Sequence, residues 1–540
     1  MPYPSSMQGS LARLVATRPR RAKEHFPRLR PDDKTRLLEA YHPDYRPEAF
    51  ADIAVGKNRG GKAPKELVQL LHGRGIVDAD RFDLKTVDRD VDLLIIGGGG
   101  GGTTAAIFAQ NAGAKVLMAT KLRHGDSNTT MAEGGIAAAV LPNDNPMMHY
   151  IDTLGGGRYA NLPDLVSTLV LDAPLIIEWL ESLGVIFDRK PDGSLSPGIA
   201  GGHSRHRISS CKDYSGLELM RVLRDEARNR QIEVMEFSPA VELVLDNRGR
   251  CAGAILLNLD TNEYSLVRAK TTILATGGLG RLHVQDFPTT NHYGATADGL
   301  VIGYRAGAEF IYMDTVQFHP TGVAWPEQMF GWLISEDLRG RGAQLVDAVG
   351  KRFIHELEPR DTVSSAIIRE CDERGLGIKT PTGAMGVWLD VPLIDEFKGK
   401  GTVRNHLAGI YRRFQQYDID IEREPILVCP SQHYQNGGIL IDREGRTSIP
   451  GLYAVGEVSG GVQGRNRLGG NSLVDILVFG RRAGMHAGRE CKDVALGQLT
   501  LDHVRNHQRE LEVSAARVET KSPMILPDYT RPEVKLRKYQ

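Results

Sequence analysis

Cysteine is scarce and scattered: Cys211, Cys251, Cys371, Cys429 and Cys491 are the whole complement, far apart and with no C-x-x-C. Such spacing implies no disulfide framework and no iron–sulfur centre held by this chain. Reduced, buried thiols in a cytoplasmic protein are expected, and any one-electron wiring has to come from a partner. Long apolar runs are missing too, since no window approaches 18 uninterrupted apolar residues, and a bilayer-spanning helix is excluded. Net charge is absent, with 67 Lys plus Arg against 67 Asp plus Glu. No global attraction to nucleic acid or membrane follows. The first thirty residues carry Arg13, Arg18, Arg20, Arg21, Lys23, Arg28 and Arg30 against the lone acid Glu24, without the apolar core of a signal peptide. A transit peptide has the same look; the preferred expectation is a disordered basic arm that docks on a partner or an anionic surface.

Glycine, in contrast, is abundant at 60 residues and clusters in loops between apolar runs, as expected where backbone approaches a large ligand. The densest cluster lies in Asp92 to Ala106. Leu93 to Ile96 reads as a buried parallel strand, six glycines follow, and Thr103 to Asn111 reads as a helix. Gly97, Gly99 and Gly102 have the G-x-G-x-x-G spacing, which permits a tight turn and lets backbone reach a pyrophosphate at a helix N-terminus. Taken alone, the run also fits a flexible glycine loop. A second strand, Ala114 to Ala119, ends at Thr120-Lys121, where a dinucleotide fold often has an acid on a ribose. Its absence argues against NAD.

Residues 1 to 88 read as an extension with short apolar helices such as Glu66 to His72. Ser127 to Ile136 is a small-residue loop that suits a flat ring, with a plain surface loop as the lesser alternative. Helical periodicity marks Asn161 to Leu183 and Leu217 to Asn229, the latter after Asp213-Tyr214-Ser215-Gly216. Val241 to Leu245 and Ala252 to Leu257 read as a hairpin, and Thr271 to Ala275 as a buried strand. From His319 to Val428 the texture turns to charged helix and loop, and the sheet signature resumes at Gly451 to Glu457. Leu501 to Val518 reads as an amphipathic helix before a tail with Pro523, Pro527 and Pro532.

In this order the motifs resemble the flavoprotein subunits of fumarate reductase, succinate dehydrogenase and L-aspartate oxidase. The resemblance rests on the glycine turn, Ala132 to Ile136, Ala275 to Gly278, Gln317 to Gly322, Pro359-Arg360-Asp361, His433-Tyr434, Gly437 to Ile439, Gly451 to Glu457, and Asn466 to Gly469 with Asn471 to Leu473. It implies an α/β chain: a discontinuous Rossmann-like FAD-binding domain (89–318 and 429–490), an inserted α+β capping domain (319–428), and a short C-terminal helix and tail (491–540). FAD contacts are implied at Gly97, Gly99, Gly102, Lys121, Ser127, Asn128, Thr129, Gly134, Gly135, Asp213, Ala275, Gly277, Asp298, Glu457, Ser472 and Leu473. Many membrane-bound members carry FAD covalently on a His in the Ser127 to Thr129 triplet; Asn128 stands here, so non-covalent FAD is expected.

The implied reaction interconverts fumarate and succinate. His433 with Arg467, and His319 with Ser335, resemble clamps for the two carboxylates of a C4-dicarboxylate. Arg360 resembles the proton donor and Glu336 with Arg339 its relay. Taken singly, each His suits a core or surface histidine, and Arg360 a surface pair with Asp361 or Glu358. Gly201-Gly202-His203-Ser204 with Arg207-Ile208 looks like the L-aspartate oxidase branch, and Asp475 like the fumarate and succinate branch. An electron-transfer subunit without dicarboxylate turnover is the third alternative. An iron–sulfur partner is implied, with any membrane association through partners; the short C-terminal region and added N-terminal residues suggest that the extension serves partner docking.

Overall fold

A computed structural model describes residues 3–529; Pro532 of the expected tail lies outside them. The apolar run before the glycines forms the strand Arg89–Ile96, and the residues after it the helix Gly100–Asn111. Arg89–Ile96 pairs in parallel with Val116–Ala119 on one side and with Tyr264–Leu274 on the other, Leu93 lying opposite Val116 and Thr271. Glu233–Met235 extends one edge, and Leu452–Ala454 pairs in parallel with the end of Tyr264–Leu274. The hairpin Ala240–Asp246 and Cys251–Leu257 continues the sheet antiparallel. Strands that are apolar throughout therefore sit centrally, with both faces covered. Helix Asn471–Glu490 lies close against Gly100–Asn111, because Gly480, Gly484 and Gly488 face Gly101, Ala105 and Ala109 where added Cβ atoms would collide with backbone.

The cap is more regular than its charged sequence suggests. Val316–Trp325, Ile426–Gln435, Met385–Asp390 and Gln344–Val346 form an antiparallel sheet joined by Ile378–Lys379, around a core that includes Trp388, Leu389 and Phe414. The boundaries expected at 318/319 and 428/429 fall inside its first two strands.

The expectation of a disordered basic arm is overturned. Ser5–Arg21 is a helix whose Met7 and Leu14 are buried in the cap's core, each contributing roughly 1.5–3 kcal/mol by area removed from water. Arg21 is fully buried, donating to Asp390 at 2.8 Å and to Gln344 at 2.8 Å, while Arg18 reaches Asp390 at 2.7 Å. A second helix, Pro31–Tyr41, follows, and Ile53, Val55, Ala63 and Leu67 then join the core of the FAD-binding half. At the other terminus the expected helix ends at Val513, and Val518–Ser522 pairs in parallel with Gly73–Gly75. Among the described residues no helix is long and apolar enough to cross a membrane.

Candidate active site

One elongated cleft runs from Lys121, Ala240 and Asp298 past Gly97–Gly101 to His319, Arg360, His433 and Arg467, and encloses about 1910 Å³ of atom-free space, part of it open to solvent. At the turn, Gly97 has φ +119° and faces the Ala275 carbonyl, while a Cβ at Gly102 would collide with the Gly97 carbonyl. Only glycine serves at both positions. Gly99, Ser127, Asn128, Thr129, Gly134, Gly135, Ala275, Gly277, Ser472 and Leu473 also line the cleft. Lys121 bonds Asp298 at 2.9 Å and Thr296 at 2.7 Å, and the Asp298 Oδ1 has no partner.

A bare glycine cradle at a helix N-terminus, continued by an uncharged small-residue wall and a buried acid, fits a dinucleotide carrying a flat ring. That acid is Glu457, which accepts from the Gln435 N–H at 3.0 Å and from Asn128 at 3.3 Å; burial pushes its carboxyl up to about 7. Asn128 is further fixed by donating to Asn291 at 2.6 Å and accepting from the His292 N–H at 2.6 Å. Asp213 lies off the cleft: it accepts the Ile410 N–H at 2.8 Å, at the start of the cap helix Ala408–Gln415.

The far end is built from the cap strands. His319 and His433 face each other with ring centroids 4.9 Å apart. Burial, then the Arg360 charge, holds both imidazoles well below their usual range and therefore neutral. Thr290 bonds His433 Nδ1 at 2.7 Å, and the Thr321 hydroxyl bonds His319 Nδ1 at 3.2 Å. Ser335, which lines the same end, accepts the Asp337 N–H at 3.3 Å. Arg467 lies over the Tyr434 ring at 4.7 Å, its Nε unpartnered, and burial with the neighbouring Arg360 lowers it to about 9.

Arg360 is no surface pair. It donates to Glu336 Oε2 from Nε at 2.9 Å and from Nη2 at 2.7 Å, while Asp361 is taken by Arg158 and Glu358 by Lys34. Glu336 also meets Arg339 at 3.2 Å, behind the cleft. Burial works to raise the Glu336 carboxyl, yet Arg360 and Arg339 together draw it down to about 2. Gln317 opens the Gln317 to Gly322 motif, which assigns it no role; its oxygen accepts from Arg360 at 3.2 Å and from Arg467 at 3.0 Å. A signal for it exists: Gln317 and His319 are two apart on one strand and share a face. Thr290 carries no such signal.

A glycine-cradled dinucleotide cleft ending in buried arginines and neutral histidines defines a flavin-dependent oxidoreductase. Residues 92–473 match the FAD binding domain family. The chain is 39% identical over 411 residues to a fumarate reductase (CoM/CoB) subunit of Methanothermobacter marburgensis, covering 74% of this chain and 73% of that one. It is 37% identical over 404 residues to the L-aspartate oxidase of Streptomyces coelicolor, covering 72% and 67%. A solved E. coli quinol fumarate reductase chain superposes with a TM-score of 0.71 at 32% identity, covering 78% and 74%. The protein belongs to the FAD-binding flavoprotein family of fumarate reductases, succinate dehydrogenases and L-aspartate oxidases.

Proposed function

We propose that this protein interconverts fumarate and succinate as an FAD-bearing subunit that exchanges electrons with an iron–sulfur partner. The observation that carries the reading is the charge at the closed end of the cleft. Arg360 and Arg467 converge there, and the nearest acid, Glu336, is already held by two arginines. A dicarboxylate dianion such as fumarate or succinate suits that surface, and Glu336 is not free to receive a substrate ammonium. Gly201 and His203, in the stretch that looks like the aspartate-oxidising branch, act as scaffold: Gly201 donates to Glu336 at 3.0 Å, and His203 Nε2 bonds the Gly469 carbonyl at 2.7 Å.

Bound FAD supplies hydride transfer to or from one substrate carbon. The chain's own groups do the rest. Arg467 and His433 bind one carboxylate, His319 and Ser335 the other, and neutral imidazoles serve as donors without repelling the guanidinium groups. Arg360 gives its proton to the second carbon, and Glu336, ionised and hydrogen-bonded to it, takes up a replacement proton by way of Arg339 and passes it on to Arg360. Likeness to one subunit of the archaeal fumarate reductase and to a quinol fumarate reductase chain supports a multi-subunit assembly. With reduced viologen as electron donor, the holoprotein is expected to convert fumarate to succinate; absence of succinate with full flavin content would refute the reading. Asn128 in place of a linking His supports non-covalent FAD. Acid precipitation should release the flavin to the supernatant, and yellow protein in the pellet would contradict this.

A further inference from the structure

We infer that the N-terminal extension is a positioning strap for the catalytic arginine, acting through Glu358. The inference rests on the proposed role of Arg360. Glu358 is fully buried, one residue before Pro359, which caps the helix Arg360–Ile368. Its Oε1 accepts the Leu29 N–H at 2.9 Å, and its Oε2 meets the Lys34 ammonium at 2.6 Å. Both partners belong to the extension. The neighbouring Leu357 carbonyl accepts from Arg28 at 3.0 Å and from the Gly202 N–H at 3.3 Å, so the extension, the cap and the FAD-binding half meet at one peptide.

The contact continues to the reacting end. The Glu358 carbonyl packs on Gly201 so closely that a Cβ there would meet it at 2.6 Å and Glu336 Oε1 at 2.7 Å. Gly201 donates its N–H to that Glu336 oxygen at 3.0 Å, and the other Glu336 oxygen holds Arg360. Lys34, Glu358, Gly201, Glu336 and Arg360 thus form one unbroken line of packed or bonded groups.

The extension also grips the site's other side. Asp44 accepts the Val316 N–H at 3.1 Å, next to Gln317, and His42 packs edge-on to Phe318, next to His319, at 5.8 Å. Tyr45 accepts from Arg158 at 2.9 Å, and Arg158 holds Asp361, next to Arg360, at 2.6 Å. Gln317, His319 and Arg360 are each adjacent in sequence to a residue linked to the strap. A fully buried carboxylate that loses its cation is left uncompensated at high cost, so Lys34 fixes where the peptide before Arg360 can lie. Lys34, Glu358 and Arg28 are positioning residues and touch no substrate.

The test is amide hydrogen exchange on the flavin-loaded protein without substrate, together with fumarate turnover, for Lys34→Ala, Lys34→Arg and Glu358→Ala. Lys34→Ala is expected to speed exchange in residues 28–41 and in 357–363. It should lower kcat for fumarate by about ten- to a hundredfold, the usual cost of an ångström-scale misplacement, with KM and flavin content little changed. Lys34→Arg should restore both readouts. Glu358→Ala removes the buried charge as well as the contact, and should reproduce the faster exchange if Lys34→Ala alone fails to fold. Faster exchange in 28–41 with no change in 357–363 would overturn the inference and leave the extension as a mere cover. Faster exchange in both segments in a protein inactive on fumarate before mutation would uphold the strap and defeat the functional reading instead.

Discussion

The two walls of the cleft each bury a glutamate, and the environments drive these carboxyls in opposite directions. Glu336 on the cap sits between Arg360 and Arg339 and is drawn down to about 2 in spite of its burial. Glu457, on the FAD-binding wall, has only an amide N–H and the Asn128 side chain, and burial raises it to about 7. Burial alone favours the neutral form, and at Glu336 two close cations reverse it. The difference separates two surfaces: backbone and small side chains for a flavin dinucleotide on one side, and converging cations suited to the proposed dicarboxylate on the other.

Removing the proposed proton donor of the cap should erase this contrast most completely. Arg360→Lys keeps a cation but loses the two-pronged grip on Glu336, and should cost on the order of 10²–10⁴-fold in fumarate turnover while flavin content stays full. Near-normal turnover would show that the cap's charges do not carry the chemistry. Next, Glu336→Ala leaves Arg360 and Arg339 facing each other in the interior, and denaturant unfolding should register a loss of about 3–5 kcal/mol. In the parent, the Glu336 contribution is fully present above its ordinary 4.5 and is lost as pH falls through about 2. The variant should lack that acid limb.

Glu457 has the opposite sign and a somewhat smaller effect. A carboxyl whose folded value lies above its unfolded one binds more protons folded, so stability is lost as pH rises from 4.5 to about 7. Glu457→Gln should remove that loss and stabilise flavin-free protein at pH 8 by up to about 3 kcal/mol. Asp475, raised by burial to about 7, and Glu133, raised by burial to about 7 against the pull of Arg413, add slopes of the same sign. The Glu457→Gln difference is therefore read against the parent, not against zero.

Local signals make the FAD-binding half readable. The strand into the glycine turn, the helices at Pro163–Ser182 and Ser215–Asn229 and the hairpin at 240–257 follow from periodicity and turn chemistry over a few residues. The cap's far end is legible only through motif resemblance, because strand pairing brings His319 and His433 together across more than a hundred residues, while Arg360 comes from a helix start and Arg467 from a loop. The N-terminal helix is hidden for a related reason. Met7, Leu11 and Leu14 have helical spacing, but the basic run masks it, and the partner that makes Arg21 burial tolerable, Asp390, lies 369 residues away. Asp213 fails as a cofactor contact because its local pattern marks a helix start, while its carboxylate in fact serves a different helix from the cap.

Whether the site takes fumarate and succinate rather than L-aspartate is tested most directly by adding L-aspartate anaerobically to the oxidised, flavin-loaded protein and following the visible flavin absorption. No bleaching by L-aspartate is expected, with prompt reoxidation when the chemically reduced protein is then given fumarate. Rapid bleaching by L-aspartate would contradict the fumarate and succinate reading and make the protein an aspartate-oxidising enzyme.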